Sequence, residues 1–364
     1  MGQREKILVF LLGSLGDSIV AIPALRVVRQ NFRNAEIVAL HESGLGLVEP
    51  HDLLPNDLVD RYFSYKRGRS AAFSITRSLP QLRREKFDAA VYLVFSERPP
   101  RSVDRDRMFF RAAGIRKLIG FHSFTTTDLY PRDENGMPAK VPSEAERKVS
   151  RLAIDGLWSE TDIFALPWIK SSPSELTAAK TWLREALDHK LTLAMAPGCK
   201  TKANQWAVEN FMELIRSVRT KVDCAVVIVG GPEEAKMGDL FGRDIDECAN
   251  AAGKYSVREM GALLRLCDGY VGLDTGTTHL AAAVGIPVVA IYGQRNNPGQ
   301  WFPHTTNIEI VQNEVPCAGC REQTCPVTGH PCMSGINVDA VANAVGTMLL
   351  KASRADPEHA TEAA

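Results

Sequence analysis

The sequence predicts an α/β protein with two doubly wound parallel sheets, each in a domain of its own. The chain has 364 residues, which is the length of about two domains. Short apolar runs bounded by turns are typical of parallel strands that are buried on both faces. Segments with the spacing of amphipathic helices separate these runs, and the alternation occurs in both halves of the chain.

The first series of elements predicts an N-terminal domain over residues 1–168. Its first strand is the apolar run at 6–12, and the helical spacing of apolar residues predicts one helix over 18–32. The other elements predicted here are strands at 37–40, 58–63 and 89–94 and helices at 71–84 and 143–157. Residues 121–143 are rich in Pro, Thr and Gly and are expected to be irregular.

The second series predicts a C-terminal domain over residues 174–336, after a linker at 167–173. Its predicted strands are 191–196, 225–229, 269–273 and 288–292, and its predicted helices are 174–187, 208–219, 233–241, 257–266 and 277–284. A terminal helix is expected at 337–351 and a flexible tail at 352–364. Ligands of such sheets bind beyond the carboxyl ends of the strands, so the expected site is a cleft between the two domains.

The segment Asp274–His279 predicts an anion site in the second domain. It follows the strand at 269–273 and opens a helix of small residues, where free amides carry about half a positive charge. Gly276 permits close approach of a ligand, and the hydroxyls of Thr277 and Thr278 would add donors. A helix cap at Asp274 or Thr275 would explain one residue but not the whole run. We therefore predict that a nucleotide diphosphate binds here.

Two further loops of the second domain carry charged candidates. Lys200 and Lys202 follow the strand at 191–196 and could neutralise phosphate oxygens, or they could simply be solvated. Glu234 follows a Gly-Gly-Pro turn and could accept hydrogen bonds from a ribose. It could equally be an acid that the helix dipole favours.

Asp17 is the candidate catalytic acid or base of the first domain. It lies where the first strand meets the first helix, in a loop that contains Gly13, Ser14 and Gly16. A carboxylate there could remove a proton from an acceptor hydroxyl, although Asp17 could also be an ordinary helix cap. The Gly-x-x-Gly spacing is too short for the dinucleotide fingerprint, which disfavours a dehydrogenase.

The order of these pieces resembles that of the ADP-heptose:lipopolysaccharide heptosyltransferases, glycosyltransferase family 9. Four segments carry the resemblance: 13–25, 197–211, 229–234 and 274–293. The resemblance implies the GT-B fold, with two Rossmann-like domains facing a cleft. It also implies that the N-terminal domain binds the acceptor and that the C-terminal domain binds a nucleotide sugar.

The resemblance implies an inverting transfer that needs no metal. Asp17 matches the general base of the family. The residues that contact the diphosphate in the family are matched here by Thr275, Gly276, Thr277 and His279. Fixed amide dipoles would stabilise the leaving group. Two residues depart from the family pattern, because Asn204 stands where a lysine is common and Thr277 where a proline is common. Both leave open whether the sugar is heptose.

The spacing of Cys317, Cys320, Cys325 and Cys332 suits four thiolate ligands of a structural zinc ion. Reduced thiols or a labile disulfide are the alternatives. The other four cysteines are scattered and are predicted to be small core residues.

Charge and hydropathy restrict location and partners. The chain has 43 basic and 43 acidic residues, so no nucleic-acid partner is expected. Residues 61–120 hold fifteen Lys or Arg against five acids, which favours an anionic glycan or glycolipid acceptor or a membrane surface, unless this is only a solvated face. No apolar run approaches the roughly 20 residues of a membrane span, and the N-terminus lacks the pattern of a signal peptide. We expect a cytoplasmic protein that could contact the inner membrane peripherally.

The leading hypothesis is therefore a glycosyltransferase that acts on a lipopolysaccharide-core or other cell-surface glycan. A sugar-nucleotide epimerase with the same fold is weaker, because Asp17 would then lack a clear task. A catalytically idle protein that binds a sugar nucleotide is the third hypothesis.

Overall fold

The computed structural model describes residues 4–44, 48–66, 75–125, 130–187 and 191–355. The chain divides into two compact units. Unit 1 comprises Met1–Arg132 and Ala139–Trp168, and unit 2 comprises Asp133–Pro138 and Ile169–Ala364. Parts of the predicted helix at 71–84 and of the predicted tail at 352–364 lie outside the described residues.

Unit 1 contains a parallel sheet of five strands. These are β1 (Lys6–Leu11), β2 (Glu36–Ser43), β3 (Arg61–Lys66), β4 (Ala89–Tyr92) and β5 (Lys117–Ile119). Their order is β3-β2-β1-β4-β5. The order reverses between β1 and β4, so the loops after these two strands diverge there, as they do at the ligand sites of doubly wound sheets.

In the described part of unit 1, five α-helices accompany this sheet: α1 (Leu15–Ile19), α2 (Ile22–Asn31), α3 (Leu79–Glu85), α4 (Pro100–Ala112) and α5 (Glu144–Ile154). The single helix predicted over 18–32 is wrong, because the chain forms two helices there. Pro23 has no N–H to donate to Ile19, so the hydrogen-bond ladder breaks between α1 and α2. The sequence prediction also missed the three-residue strand β5 and α4, in which six of the 13 residues are charged.

Unit 2 contains a parallel sheet of six strands. These are β6 (Thr192–Ala196), β7 (Ala225–Ile228), β8 (Cys248–Asn250), β9 (Gly269–Leu273), β10 (Val288–Ile291) and β11 (Ile308–Val311). The order β11-β10-β9-β6-β7-β8 reverses between β6 and β9, which pair directly from Leu193–Gly269 to Ala196–Gly272. The loops after β6 and β9 therefore leave the sheet side by side.

Among its described residues, unit 2 has seven α-helices: α6 (Pro173–Ala186), α7 (Val208–Arg219), α8 (Ala235–Asp244), α9 (Val257–Arg265), α10 (Gly276–Val284), α11 (Pro331–Ser334) and α12 (Val338–Ala355). Capping boxes at Ser172 and Ser256 fix the starts of α6 and α9. Within the same unit, Pro138 lies against Gly319. None of the described helices is long and apolar enough to cross a membrane.

Candidate functional site

Asp17 lies in α1, directly after β1 and at the point where the strand order of unit 1 reverses. Its Oδ2 accepts a hydrogen bond from the backbone N of Ser14 at 2.8 Å, while Ser14 is the N-cap of the helix. Asp17 therefore occupies the N3 position of a capping box, the third residue of the helix, and is not the N-cap itself. Gly13 has φ +116°, and a Cβ there would come within 2.2 Å of the Asp17 carboxyl carbon. Only glycine leaves room for the carboxylate in this position.

Burial raises the pKa of the Asp17 carboxyl above its ordinary value. The positive charge of Lys148 opposes this shift most strongly, and Glu144 adds to it. A carboxylate with a raised pKa is a stronger base than a carboxylate with the ordinary value, because it binds a proton more tightly.

Asp17 lines a cavity of about 350 Å³ in unit 1. Tyr65 and Phe95 contribute aromatic walls. Arg98 and Arg105 also line it, and both bind the buried carboxylate of Asp106, at 2.7 and 2.8 Å. The cavity thus presents a basic carboxylate beside aromatic and hydrogen-bonding walls, which suits a hydroxyl-bearing ligand.

The predicted anion site of unit 2 is the start of α10. Thr275 is the N-cap but makes no side-chain cap hydrogen bond, so the amides that follow it remain available to a ligand. Asp274, Thr275, Gly276 and Thr277 are all half-buried. The helix start is therefore both accessible and electropositive.

Thr278 differs from Thr277. Its side chain is fully buried, its Oγ1 hydrogen-bonds the carbonyl oxygen of Leu273, and it lies 2.9 Å from the hydroxyl of Tyr270. The expectation that the Thr278 hydroxyl serves a ligand is therefore wrong, because the core of the unit already uses it. The backbone amide of Thr278 stays in the predicted set.

Asn204 has a clear structural task. It is buried, and its Nδ2 donates to Oδ2 of Asp274 at 2.9 Å. This bond joins the loop after β6 to the loop after β9. Lys200 and Lys202 lie on the same β6 loop with exposed side chains, which leaves them free to reach an anion.

Glu234 connects a third loop to this region. Its Oε2 accepts from the amide of Gly231 at 2.8 Å, so it caps the short 3-10 helix Pro232–Glu234. A Cβ on Gly198 would come within 2.2 Å of the Glu234 side chain, which therefore lies against the β6 loop. His279 is buried, and its ring makes an edge-to-face contact with Trp301, with 6.4 Å between the ring centroids.

Sequence reasoning missed the buried residues Glu144 and Lys148, which act on Asp17. Oppositely charged residues four positions apart on a helix normally indicate a solvated surface pair, so the sequence carried no signal of their burial. It also missed Trp301 and the bond between Asn204 and Asp274. Pairings between distant loops cannot be predicted from local spacing.

No three of the Sγ atoms of Cys317, Cys320, Cys325 and Cys332 lie within 4.8 Å of one another. Burial raises the pKa of the Cys332 thiol most, and Cys325, Cys317 and Cys320 add to this rise electrostatically, so the four thiols lie in the same region. Among the described residues, the group whose ligand atoms lie within 4.8 Å of one another is His41, Glu49 and His51 in unit 1. The cysteine segment instead supports the β6 loop. Ala203 donates from its N to the oxygen of Gln323 at 3.0 Å, and its oxygen lies 3.0 Å from Nε2 of His330.

Solved structures with this fold include glycosyltransferases. The glycosyl transferase family 9 structure from Veillonella parvula matches with a TM-score of 0.72 and 19% identity, over 96% of this chain and 99% of that one. E. coli ADP-heptose lps heptosyltransferase II matches with a TM-score of 0.67 and 18% identity, over 95% and 99%. The chain thus has the GT-B fold, as the sequence predicts.

The sequence identifies the family. Residues 166–330 match Glycosyltransferase family 9 (heptosyltransferase). Lipooligosaccharide heptosyltransferase 2 of Campylobacter jejuni is 23% identical over 358 residues, which cover 94% of this chain and 98% of that relative. Residues 166–330 therefore form a glycosyltransferase family 9 domain, and the chain is a glycosyltransferase, an enzyme that transfers a sugar.

Proposed function

We propose that this enzyme is an inverting, metal-independent heptosyltransferase of lipopolysaccharide-core assembly. It takes heptose from ADP-heptose and transfers it to a hydroxyl of an anionic glycan or glycolipid acceptor. The observation that carries the proposal is the half-buried Asp17 carboxylate, which lines a cavity at the point where the strand order of unit 1 reverses.

The donor half of the proposal is supported by the start of α10. Its amides would bind the diphosphate and stabilise the charge that develops on it as the glycosidic bond breaks. Lys200 or Lys202 would add a positive charge from the β6 loop, since Asn204 holds Asp274 instead. Relatives named for ADP-heptose and lipooligosaccharide heptose transfer support ADP and heptose as the donor groups.

The acceptor half is supported by Asp17. The carboxylate would take the proton of the acceptor hydroxyl as its oxygen attacks the anomeric carbon from the face opposite the diphosphate. The C–O bond to the acceptor forms as the C–O bond to the departing ADP breaks, and attack from the opposite face in this single step inverts the anomeric configuration. The loop residues Gly13, Ser14 and Gly16 would shape this side of the site.

Asp17→Asn tests the base assignment. Asparagine can still accept the Ser14 hydrogen bond, so α1 keeps its cap while the base is lost. We expect turnover to fall by at least about a thousandfold with unchanged ADP affinity in calorimetry. Near-normal transfer by this variant would show that the base lies elsewhere.

The donor is tested by calorimetry with ADP-, GDP- and UDP-sugars, and the stereochemistry by NMR of the product linkage. Tighter binding of a GDP- or UDP-sugar would contradict the ADP assignment. A product that retains the donor configuration would contradict inversion. Donor epimerisation without transfer would support the epimerase, and tight binding without turnover on any acceptor would support an idle binding protein.

Structural zinc at the four cysteines remains a prediction, separate from catalysis. Metal analysis of protein purified without chelator tests it. About one zinc per chain, lost in Cys317→Ser/Cys320→Ser, would support the site. Metal that is lost in His41→Ala instead would belong to the group of His41, Glu49 and His51.

A further inference from the structure

Helix α5 carries three charged side chains that are almost completely buried. Glu144, Lys148 and Arg151 are exposed by only 1%, 0% and 2%. They follow one another at spacings of four and three residues, so they lie on one face of the helix. Burial of an ion is unfavourable unless the ion is closely paired, so each of the three needs an explanation.

Two of these ions are firmly bonded. Glu144 Oε2 accepts hydrogen bonds from the N and the Oγ of Ser96, both at 3.0 Å. Arg151 donates to Ser96 Oγ at 2.8 Å and to the carbonyl oxygen of Val94 at 2.7 Å. Val94 and Ser96 follow β4, so α5 is tied to the point where the strand order of unit 1 reverses.

Lys148 is bonded much less completely. Its Nζ lies 3.6 Å from Glu144 Oε2 and makes no hydrogen bond to the described part of the chain. An ammonium group has three donors, and leaving them unused in the interior is costly. An apolar side chain of similar length would fill the same space at a lower cost. Packing alone therefore does not account for a lysine here.

Asp17 is the second carboxylate on which this ammonium acts. The turn that carries Asp17 follows β1, the hydrogen-bonded neighbour of β4. The attraction of Lys148 is the largest influence that favours the ionised form of Asp17, ahead of the Ser14 hydrogen bonds. Burial lowers the pKa of Lys148, and the negative charges of Glu144 and Asp17 oppose this shift by attracting the ammonium.

We propose that Lys148 is a positioning residue for proton transfer, whose buried ammonium, paired with Glu144, keeps the Asp17 carboxyl ionised and ready to accept a proton. The inference rests on the proposed role of Asp17 as the base. Burial raises the pKa of the Asp17 carboxyl, and loss of the Lys148 ammonium would raise this pKa further. Glu144 limits the effect of Lys148, so Asp17 stays basic enough to act.

Charged groups from several elements bear on this pair. From α5 they are Glu144, Lys148 and Arg151, and from the cavity walls they are Glu42, Arg98, Arg105 and Asp106. The two cavity arginines are bound by Asp106, whereas the Lys148 ammonium has no such hydrogen bond. Lys148 is therefore the cation whose removal should affect Asp17 most.

The test is a titration of Asp17 by NMR in the full chain labelled with ¹³C at the aspartate carboxyl carbons. The resonance that Asp17→Asn lacks identifies the group. We expect the midpoint to move to higher pH in Lys148→Met and to stay near that of the wild type in Lys148→Arg. In Glu144→Gln it should move to lower pH, because a repelling charge is lost. An unchanged midpoint in Lys148→Met would overturn the proposal.

If Lys148→Met fails to fold, Glu144→Gln decides, and an unchanged or higher midpoint there would contradict the proposal. Turnover provides the second readout. Relative to the wild type, kcat/KM of Lys148→Met should fall about tenfold at about pH 6 and recover at about pH 9. An equal loss at both pH values would mean a merely structural role. If the wild type transfers no sugar, the proposed function fails, but the NMR titration still tests the coupling.

Discussion

At the scale of single residues, Gly13 restricts the position of Asp17 more tightly than any hydrogen bond does. Its positive φ and the 2.2 Å approach of a Cβ to the carboxyl leave no room for a side chain. The capping box with Ser14 then fixes the direction of the carboxylate. The proposed base is thus held by backbone geometry, before any substrate binds.

Gly13→Ala should therefore abolish most turnover without preventing folding. The added methyl group must displace the carboxylate, and a misplacement of about 1 Å can cost on the order of a hundredfold in rate. Steady-state kinetics together with ADP calorimetry measure this, and donor affinity should not change.

Gly114→Ala is the matched control. Gly114 also has a positive φ, of +90°, but a Cβ there would meet nothing within 4 Å. Both variants should lose about 1–2 kcal/mol of unfolding free energy from backbone strain. If Gly114→Ala lost as much activity as Gly13→Ala, the contact with Asp17 would not be the cause.

Asn204→Asp should weaken ADP binding in a pH-dependent way. The change replaces a donor to Asp274 with a second carboxylate, so the two carboxylates would repel each other and disturb the turn before α10. We expect roughly tenfold weaker binding at about pH 8 and a smaller difference at about pH 5, where the pair can share a proton. Calorimetry at both pH values measures this.

Asn210→Asp adds the same charge in the first turn of α7, where an acid is favourable. It should leave ADP affinity unchanged at both pH values. Equal weakening in the two variants would indicate a general effect of charge and not the loss of the bond to Asp274.

At the scale of elements, the neighbouring hydroxyls of Thr277 and Thr278 at the start of α10 lie on different sides of the helix. Thr277 is half-buried, whereas the Thr278 hydroxyl is engaged with Leu273 and Tyr270. Residues adjacent on a helix face different sides, so one can serve a ligand while the other serves the core.

Valine substitutions should divide the two roles. Thr277→Val should weaken ADP binding several-fold, the effect of one lost hydrogen bond of about 1 kcal/mol, with little change in stability. Thr278→Val should instead lower the unfolding free energy by about 1–3 kcal/mol, because buried partners lose their bond, and should leave ADP affinity nearly intact. Calorimetry and chemical denaturation distinguish them, and a reversed pattern would contradict this division.

The strands that hold the site could be predicted from sequence because buried parallel strands are nearly continuous apolar runs. β1, β6 and β9 follow this rule, and the motifs after them were therefore predicted at strand ends. The short outer strands β5, β8 and β11 have three or four residues and give no such signal. The burial of Lys148 and the bond from Asn204 to Asp274 depend on tertiary packing, which local patterns do not encode.

At the scale of the whole molecule, charge is uneven although the total is balanced. Several basic residues of the 61–120 region are paired, as Arg98 and Arg105 are with Asp106. Arg101 and Arg111 on α4 and Arg116 shortly after it remain exposed, and Met108 on α4 is 66% exposed. Exposed cations beside an exposed apolar side chain are the composition that favours an anionic membrane surface.

Binding to vesicles of about one-third phosphatidylglycerol tests this surface. The variant Arg101→Gln/Arg111→Gln/Arg116→Gln should bind on the order of a hundredfold more weakly, at about 1 kcal/mol for each charge. Neither protein should bind vesicles of phosphatidylcholine alone. Sedimentation at low and physiological salt measures the effect.

The control variant is Lys236→Gln/Arg265→Gln/Lys351→Gln, which removes three exposed charges from unit 2. It should bind the anionic vesicles as the wild type does. Equal weakening in both triple variants would mean that net charge, and not the α4 surface, drives association.

The assignment of Asp133–Pro138 to unit 2 has a consequence for how such enzymes diversify. The proposed donor loops and the proposed base are encoded in separate stretches of the gene. If these roles hold, recombination near Trp168 would exchange acceptor preference while keeping donor preference. Such a crossover would leave Asp133–Pro138 with the wrong parent, and Pro138 would no longer match the Gly319 that it packs against. The two preferences can therefore be exchanged separately only when Asp133–Pro138 comes from the same parent as the rest of unit 2.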